Sequence, residues 1–389
     1  MDLSVKIGNV VLKSPVIVSS GVDGRDGARI KKVAEYGPGA ITTKTIVANP
    51  LPDPLPCIKS VKAGMLNCVF GTTALAKRWC EQEFEIAKQG GVPIIANLAG
   101  TSPEESVQLA KDCEAAGADI IEYPSACPHM GGILEAMFPG LKVPLPEVHD
   151  PSDYAAGIRA MKKVIKIPLM AKLSAIHHLN VKEWAKAIAD AGADAIAAAD
   201  TIGPAMAIDI ETGMPLLGGP KGFGGLSGAA IKPLITRMVL EIREVVDIPI
   251  IAIGGVASGN DAVEYIMAGA DAVGVATASN LKGPETYRKI RNEIEAFMKR
   301  KGYDTLADFK GLTLKRINER FENKKHIINT PVVPEVDEDK CTSCGSCVRA
   351  CVYEAITMED YPKFNSDACY GCGLCVSVCP TKAIIQNYY

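Results

Sequence analysis

Several features that mark other classes of protein are missing from this chain of 389 residues. No stretch combines clustered lysine and arginine with interleaved aromatic residues, so we expect no nucleic-acid partner. No uninterrupted apolar run reaches the length of a membrane span, and no secretory signal precedes the first strand, so we expect no membrane partner. Because 13 cysteines occur without such a signal, we expect a reducing, cytoplasmic location.

The glycine-rich GxGxxG motif of Rossmann domains, followed by a helix and a distant acidic residue, is also absent. We therefore expect no nicotinamide site of that kind in this chain. If nicotinamide takes part, a separate subunit must bind it. The composition is otherwise that of a globular protein, with 48% hydrophobic and 22% charged residues and a net charge of −3.

Eight of the cysteines lie near the carboxyl end, in two copies of the spacing Cys-x2-Cys-x2-Cys-x3-Cys. In a two-cluster ferredoxin the fourth cysteine of each copy ligates the other cluster. We therefore assign one [4Fe–4S] cluster to a first cysteine set and another to a second cysteine set. The first set is Cys341, Cys344, Cys347 and Cys379, and the second set is Cys369, Cys372, Cys375 and Cys351. Structural zinc and a disulfide framework are the alternatives, and the successive x2 spacings favour the clusters over both.

Strand-like apolar runs alternate with helical patterns over the first part of the chain, which indicates parallel strands joined by helices. Eight such runs occur, the number that a TIM barrel requires. The runs are residues 15–19, 40–45, 93–99, 119–123, 168–173, 195–200, 249–253 and 272–276. We predict a TIM (β/α)8 barrel over residues 1–320, a linker over 321–335 and a two-cluster ferredoxin-like domain over 336–389.

A short repeat supports the barrel. The sequence Ala-Gly-Ala-Asp occurs at residues 116–119, 191–194 and 268–271, each time between a helical pattern and a strand-like run. Glycine at that point suits the left-handed residue past the end of a helix. The same turn is therefore predicted to recur around one ring of strands.

Chemistry in a TIM barrel lies at the carboxyl ends of the strands, and phosphate is often held after strands 7 and 8. Three segments at such ends are rich in glycine or hydroxyl residues and predict a phosphate site. They contain Gly225 and Ser227, Gly254 and Gly255, and Ala276 and Thr277. Since no dinucleotide motif is present, FMN is the expected cofactor.

Two lysines mark the ends of strand-like runs. Lys44 and Lys172 each close an apolar run, where a lysine is rarely buried without a partner. They are candidates to face a reduced flavin or an anionic group of a substrate. The alternative is that both extend to the protein surface.

These motifs resemble the flavin barrel of the dihydroorotate and dihydropyrimidine dehydrogenases. The segments that carry the resemblance are Thr43-Lys44-Thr45, Asn67, Cys127-Pro128-His129, Ala171-Lys172-Leu173, Gly225-Leu226-Ser227-Gly228 and Gly254-Gly255. With the paired cysteine runs, the resemblance extends over essentially the whole chain and is strongest to the catalytic subunit of bacterial dihydropyrimidine dehydrogenase. It implies an FMN-binding TIM barrel that passes electrons through two [4Fe–4S] clusters.

The resemblance also implies roles for individual residues. Cys127 would be the general acid/base that exchanges a proton with the substrate. Lys44 and Lys172 would contact the flavin, and substrate would meet Asn67, His129, Asp200 and Thr201. The remaining residues implied to line the flavin site are Ser20, Asn97, Gly225, Ser227, Gly254, Gly255, Ala276 and Thr277. The implied partner is a ferredoxin or an FAD- and NAD-binding subunit, within a homodimer or a hetero-oligomer.

The chain departs from this family where the substrate ring would be recognised. Pro124 stands where an asparagine is expected, Ala126 replaces a serine, and Asp200-Thr201 replaces an asparagine–threonine pair. A pocket that reads an amide edge rejects ligands strongly when its hydrogen-bonding groups are unpaired. These changes argue against uracil, thymine or dihydroorotate as the substrate.

The sequence therefore favours an oxidoreductase that acts on a C–C bond of a small cyclic or enone-like substrate. Two alternatives stay open: a dihydropyrimidine dehydrogenase proper, and an electron-transfer subunit without a small-molecule substrate of its own. Asp200 either accepts a hydrogen bond from the substrate or pairs with Lys172. His177 and His178 either enlarge the pocket or lie on the surface.

Overall fold

The computed structural model describes residues 1–125, 150–324 and 327–388. The chain divides into two compact units, Met1–Lys315 and Arg316–Tyr389. The first unit contains all eight runs that the sequence predicts as barrel strands. The exact boundaries 1–320, 321–335 and 336–389 stay predictions.

Eight parallel strands close into a barrel in which each strand pairs with its neighbours in chain order. The strands are β1 Val16–Val18, β2 Ala40–Thr42, β3 Ile94–Asn97, β4 Ile120–Pro124, β5 Leu169–Leu173, β6 Ala195–Ala198, β7 Ile250–Ile253 and β8 Ala272–Val275. Each predicted run overlaps one strand, so the prediction of a TIM barrel is confirmed. Nearly every strand residue is buried, as expected for parallel strands that are covered on both faces.

The helices between the strands surround the barrel. They are α1 Gly27–Ala34, α2 Ala76–Arg78 continued by a π-helical turn Trp79–Glu83 and by Phe84–Lys88, α3 Pro103–Ala115, α4 Pro151–Lys162, α5 Val181–Asp190, α6 Lys232–Arg243, α7 Gly259–Ala268 and α8 Glu285–Lys301. Side-chain caps set several of their starts: Ser102 accepts from Glu105 N and Ser258 from Asp261 N. Short helices Thr277–Lys282 and Leu312–Glu322 follow β8 and α8.

The Ala-Gly-Ala-Asp repeat has a clear structural role. Its glycines adopt positive φ, 99° at Gly117, 89° at Gly192 and 123° at Gly269, as the sequence predicts. Each aspartate then accepts a hydrogen bond from the first N–H of the preceding barrel strand. The pairs are Asp119 with Ile94 N, Asp194 with Leu169 N and Asp271 with Ile250 N, at 2.8, 2.8 and 2.9 Å. The repeat therefore fastens neighbouring strands together at the amino end of the barrel.

An antiparallel sheet of four strands adds a second layer to the first unit. Its order is Ile202–Ala205, Gly224–Ser227, Gly64–Asn67 and Ile58–Val61. The end of the glycine-rich stretch 218–228 thus forms a strand. Gly224 and Gly225 have no side chains, so the strand can pair closely with residues 64–67. This unit also contains a separate hairpin, Val5–Ile7 with Val10–Leu12.

The second unit is built from two similar halves. Its helices are Ser346–Ala350 and Leu374–Val378, and its strand pairs are Glu335–Val336 with Ile384–Ile385 and Ile356–Met358 with Pro362–Phe364. Cys347, Cys375, Ile356 and Ile384 form its small buried core. In the described part of either unit, no helix is both long and apolar enough to cross a membrane.

Candidate functional site

A cavity of about 490 Å³ opens at the carboxyl ends of the barrel strands, within the range of small-molecule and cofactor sites. It is bounded by the ends of the barrel strands and by the strands Gly64–Asn67 and Gly224–Ser227. Twelve of the residues that the sequence singled out line it. They are Ser20, Lys44, Asn67, Asn97, Lys172, Asp200, Thr201, Ser227, Gly254, Gly255, Ala276 and Thr277. Residues that the sequence singled out from position 20 to position 277 thus meet in one cavity.

Three of the predicted site residues do not belong to this set. Gly225 is buried in its strand, where it pairs with Asn67, and does not line the cavity. Cys127 and His129 lie outside the described residues, in the segment that follows β4. The roles given to them therefore stay predictions.

One end of the cavity is lined by glycine backbone and hydroxyl groups. Gly228, Gly254 and Gly255 have φ values of 93°, 142° and 72°, a region that L side chains rarely adopt. The Thr277 hydroxyl donates to Ser227 Oγ at 2.8 Å. A Cβ atom on Gly255 would lie 2.8 Å from the Gly228 carbonyl oxygen, so these two segments touch through their backbones. Such exposed amides and hydroxyls suit a phosphate.

A cluster of charged and amide groups lies at the opposite side of the strand ends. Lys172 projects from within β5 and is only 6% exposed, so it does not reach the protein surface as the alternative supposed. Its Nζ lies 3.8 Å from Glu122 Oε1 and 3.8 Å from Asp200 Oδ2. Asn97 Nδ2 donates to Glu122 Oε1 at 2.5 Å. The expected pairing of Asp200 with Lys172 is therefore present, and Asp200 also lines the cavity.

Burial controls the acidity of this cluster. Glu122 is 1% exposed, and loss of hydration raises the pKa of its carboxyl, with a smaller contribution in the same direction from Asp200. Lys172 and the hydrogen bond from Asn97 oppose this increase in pKa. A carboxyl group so placed fixes the position of the lysine.

Lys44 is half-buried and lies two residues beyond the end of β2, where its Nζ donates to the Val69 carbonyl oxygen at 3.5 Å. The carbonyl oxygen of Gly24 accepts from Lys44 N at 2.7 Å, which fixes the backbone at this point. Two lysines therefore line one cavity from different strand ends, as the sequence predicted.

The donors and acceptors of the cavity fit FMN. Three residues that line it each carry a buried polar atom with no hydrogen-bond partner among the described residues: Ser19 Oγ, Asn97 Oδ1 and Thr201 Oγ1. Such atoms are costly unless a ligand or water meets them. Apolar side chains, including Val22, Ile231 and Val256, provide a surface for an aromatic ring system. Glycine backbone for a phosphate, lysine for the electron-rich ring and unpaired polar atoms are thus present in one cavity.

The adjacent histidines do not enlarge this cavity. His177 is 6% exposed and stacks on Trp184 with ring centroids 3.6 Å apart, while His178 Nδ1 is hydrogen-bonded to the Ala175 carbonyl. Neither lines the cavity. The prediction of a surface position is also wrong for His177, because a short 3-10 helix, Ala175–Leu179, turns its ring toward α5.

Sequence reasoning missed Glu122 and Ser19. Glu122 lies in β4 between apolar neighbours, and a lone carboxylate in a strand buried on both faces could have indicated a paired, functional position. Ser19 directly precedes the predicted Ser20 and gave no separate indication.

In the second unit, the structure brings the second cysteine set together. Cys351, Cys369, Cys372 and Cys375 line one small cavity with Tyr353, Phe364 and Tyr370. Cys351 thus lies beside three cysteines of the other copy of the spacing. The assignment of these four residues to one cluster stays a prediction. Among the residues described, no three His, Cys, Asp or Glu side chains are placed so that they could hold one metal ion.

The fold and these sites define a cofactor-dependent (β/α)8 enzyme with a C-terminal iron–sulfur domain. Comparison with known proteins identifies its family. The dihydroorotate dehydrogenase family matches residues 2–298, and the 4Fe-4S dicluster domain matches residues 334–386. The chain belongs to the dihydroorotate dehydrogenase family and is an FMN- and iron–sulfur-dependent oxidoreductase.

Curated relatives agree with this assignment. The catalytic subunit of dihydroorotate dehydrogenase B (NAD(+)) from Methanocella arvoryzae is 37% identical over 279 residues, which cover 72% of this chain and 87% of the relative. The proteins of the same name from Methanothermobacter thermautotrophicus and Methanocaldococcus jannaschii are 35% identical over 312 and 314 residues, covering 80% of this chain and 98% and 97% of each relative. These relatives are dihydroorotate dehydrogenases, whereas the sequence analysis found the strongest resemblance to the catalytic subunit of dihydropyrimidine dehydrogenase. About a fifth of this chain has no counterpart in the last two.

Proposed function

We propose that this protein exchanges a hydride between FMN in the barrel cavity and a C–C bond of a small cyclic substrate. When bound, FMN accepts or donates the hydride and exchanges single electrons with the clusters. Two [4Fe–4S] clusters on the two cysteine sets then connect the flavin to a redox partner. The observation that carries this proposal is the cavity of about 490 Å³ with two lysines, a glycine backbone end and three unpartnered polar atoms.

Individual residues supply the local chemistry. The backbone at Gly228, Gly254 and Gly255, with the hydroxyls of Ser227 and Thr277, would hold the phosphate of FMN. Lys44 and Lys172 would stabilise negative charge that develops on the ring system, because a cation in a water-poor site acts strongly. Glu122 and Asn97 would hold Lys172 in place.

Cys127 would exchange the proton that accompanies the hydride. A thiol serves this purpose when its pKa lies near the working pH, since the group must both take up and release a proton. The apolar residue Pro124 and the carboxylate of Asp200 at the cavity favour a ring that presents an N–H or O–H donor instead of a complete amide edge. The substrate is thus of the dihydroorotate type in its C–C bond chemistry but differs in the groups that are recognised.

Replacement of Cys127 tests the assignment of the acid/base. In Cys127→Ala, we expect substrate-dependent flavin reduction to slow by about 10² to 10⁴-fold, while flavin content is retained. Cys57→Ala is the matched control, because Cys57 is partly exposed and does not line the cavity. An unchanged rate in Cys127→Ala would show that another group moves the proton.

The alternative is an electron-transfer subunit whose barrel no longer turns over a small molecule, and the altered positions 124 and 200 are the observations that favour it. In the absence of oxygen, the oxidised protein can be mixed with dihydroorotate and dihydrouracil, and the reduced protein with the oxidised forms of these compounds and with a series of cyclic enones. Flavin oxidation or reduction by one of these compounds supports the enzyme. Rapid exchange with a partner flavoprotein, with no response to any compound, supports the alternative. A preference for uracil or dihydrouracil would instead identify a dihydropyrimidine dehydrogenase proper.

A further inference from the structure

The two copies of the cysteine spacing in the second unit have closely similar backbones. Residues 341–356 align with residues 369–384 without a gap, cysteine on cysteine. The N–H of Ala355 donates to Cys351 Sγ at 3.4 Å, and the N–H of its counterpart Ala383 donates to Cys379 Sγ at 3.2 Å. Since the backbones correspond, differences between the two sets lie in their side chains.

Hydroxyl groups lie against the sulfurs of the first cysteine set. A hydrogen bond joins Cys344 Sγ and Ser346 Oγ at 3.4 Å, and another joins Cys379 Sγ and Thr381 Oγ1 at 3.7 Å. A cysteine that ligates iron is a thiolate and has no proton to donate, so each hydroxyl becomes the donor. Arg349 adds positive charge here, because its guanidinium donates to Ser346 Oγ at 3.3 Å and to the Cys344 carbonyl at 3.1 Å.

The second cysteine set has apolar and aromatic residues at the equivalent positions. Leu374 is the counterpart of Ser346, and Tyr353 is the counterpart of Thr381. Tyr353 stacks on Tyr370 with ring centroids 5.0 Å apart, beside the cavity that this set lines. The counterpart of Arg349 is Ser377, whose hydroxyl donates to the Gly373 carbonyl instead of to a sulfur. Within the described part of the unit, no side chain donates to the four sulfurs of the second set.

Charge near the two sets contributes less to the difference. Lys382 follows Cys379 by three residues, and its counterpart Glu354 follows Cys351 by three residues. Both side chains are exposed, so salt screens their effect. The carboxylate of Asp337 is paired with Lys340, and Asp360 meets the Ser343 hydroxyl through its backbone carbonyl, so neither aspartate side chain is bonded to a sulfur of the first set. The hydrogen bonds to sulfur are therefore the main difference between the two sets.

We propose that the two clusters differ in reduction potential, with the cluster on the first cysteine set the more easily reduced. This inference rests on the proposed relay through two clusters. Each cluster takes up one electron and passes from the 2+ to the 1+ state, so the two electrons of one hydride reduce both. Reduction adds negative charge, which hydrogen-bond donors stabilise and an apolar surround does not. The cluster on the first set is thus reduced first, and Ser346 and Thr381 are the residues that raise its reduction potential.

A redox titration of the complete, cluster-loaded protein, followed by EPR at low temperature, tests this inference. We expect two separate one-electron steps whose equilibrium constants differ by at least tenfold, which corresponds to 59 mV. The double variant Ser346→Ala and Thr381→Ala should lower the higher of the two midpoint potentials, which we call the upper step, and leave the lower midpoint potential, the lower step, unchanged. Leu374→Ser should raise the lower step. Ser377→Ala, which removes a hydroxyl from the matching helix without touching a sulfur, should change neither step.

Two results would overturn the inference. One is a single midpoint for both clusters in the wild-type protein. The other is an upper step that does not move in the double variant, or that moves equally in Ser377→Ala. Iron and sulfide analysis of the same samples separates this failure from that of the proposed relay. A full complement for two clusters with equal potentials refutes only the difference between them, whereas fewer than two clusters in each chain refutes the relay and the inference together.

Discussion

Replacement of Lys172 by methionine should destabilise the barrel more than the loss of any surface ion pair. The Nζ of Lys172 lies 3.8 Å from a carboxylate oxygen of Glu122 and 3.8 Å from one of Asp200. At an effective dielectric constant of about 20, each attraction amounts to about 4 kcal/mol before desolvation is counted. The side chains are 7%, 1% and 26% exposed, so screening by water is weak. Loss of one partner from such a buried cluster costs about 3–5 kcal/mol.

The assay is urea-induced unfolding followed by tryptophan fluorescence. The chain has two tryptophans, Trp79 and Trp184, and both are fully buried in the first unit, so the signal reports the barrel alone. Lys162→Met is the matched control. Its ion pair with Asp194 is shorter, at 2.6 Å, but the two side chains are 29% and 26% exposed, and the expected loss is about 1 kcal/mol.

Burial and not distance therefore decides the ranking of these two variants. A second substitution, Glu122→Gln in the Lys172→Met background, should restore more than half of the loss, because it removes the unpaired carboxylate. The reasoning would be refuted if Lys172→Met were no less stable than Lys162→Met. It would also be refuted if Glu122→Gln gave no recovery.

Three further predictions concern the cavity. Gly255→Ala should weaken FMN binding about tenfold or more in a fluorescence titration, because φ is 72° and the added Cβ would lie 2.7 Å from Lys232 Cβ. Gly302 has the same φ of 72° but lies in open space, so Gly302→Ala should leave FMN affinity unchanged. Burial raises the pKa of Glu122 above its ordinary value of 4.5. As pH rises from 4.5, the unfolded chain therefore releases this proton before the native protein does. The free energy of unfolding should fall over that range, up to the higher pKa of the folded state. In Glu122→Gln, the free energy of unfolding measured over the same pH range should not show this decline. Tyr265→Phe removes a 2.5 Å hydrogen bond to the Gly254 carbonyl and should reduce FMN affinity several-fold at a cost of about 1 kcal/mol in stability.

Each of these predictions has an outcome that contradicts it. Equal loss of FMN affinity in Gly255→Ala and Gly302→Ala would mean that the first glycine acts through general stability and not through the site. The same pH profile for wild type and Glu122→Gln would mean that another group causes the decline. An unaltered FMN affinity in Tyr265→Phe would show that the Gly254 backbone keeps its position without the tyrosine.

The barrel could be predicted from the sequence because its strands are short, apolar and regularly spaced. Each of the eight runs overlaps a strand, and the repeated Ala-Gly-Ala-Asp turns mark three of the helix-to-strand junctions. The glycine-rich end of the cavity was also predictable, since Gly254 and Gly255 follow a strand at the end where barrel enzymes bind ligands.

Other features depend on packing that the sequence does not reveal. The strand Gly224–Ser227 lies in a glycine-rich stretch with no strand propensity and forms because the strand Gly64–Asn67 lies beside it. The burial of His177 comes from its contact with Trp184, a residue on the following helix. Glu122 acquires its importance only when β3 and β5 bring Asn97 and Lys172 to either side of it.

The most direct test of the account is a single turnover in the absence of oxygen, in which the complete protein is mixed with the reduced and oxidised heterocycles and enones named above. Flavin absorbance and the EPR signal of the clusters are recorded together. The account predicts that at least one reduced compound bleaches the flavin and then produces a reduced-cluster signal, and that Cys127→Ala slows both events. Flavin that is bleached while fully loaded clusters stay oxidised would contradict the relay. A protein that contains FMN and clusters but responds to none of the compounds would contradict the proposed oxidoreduction of a small cyclic substrate.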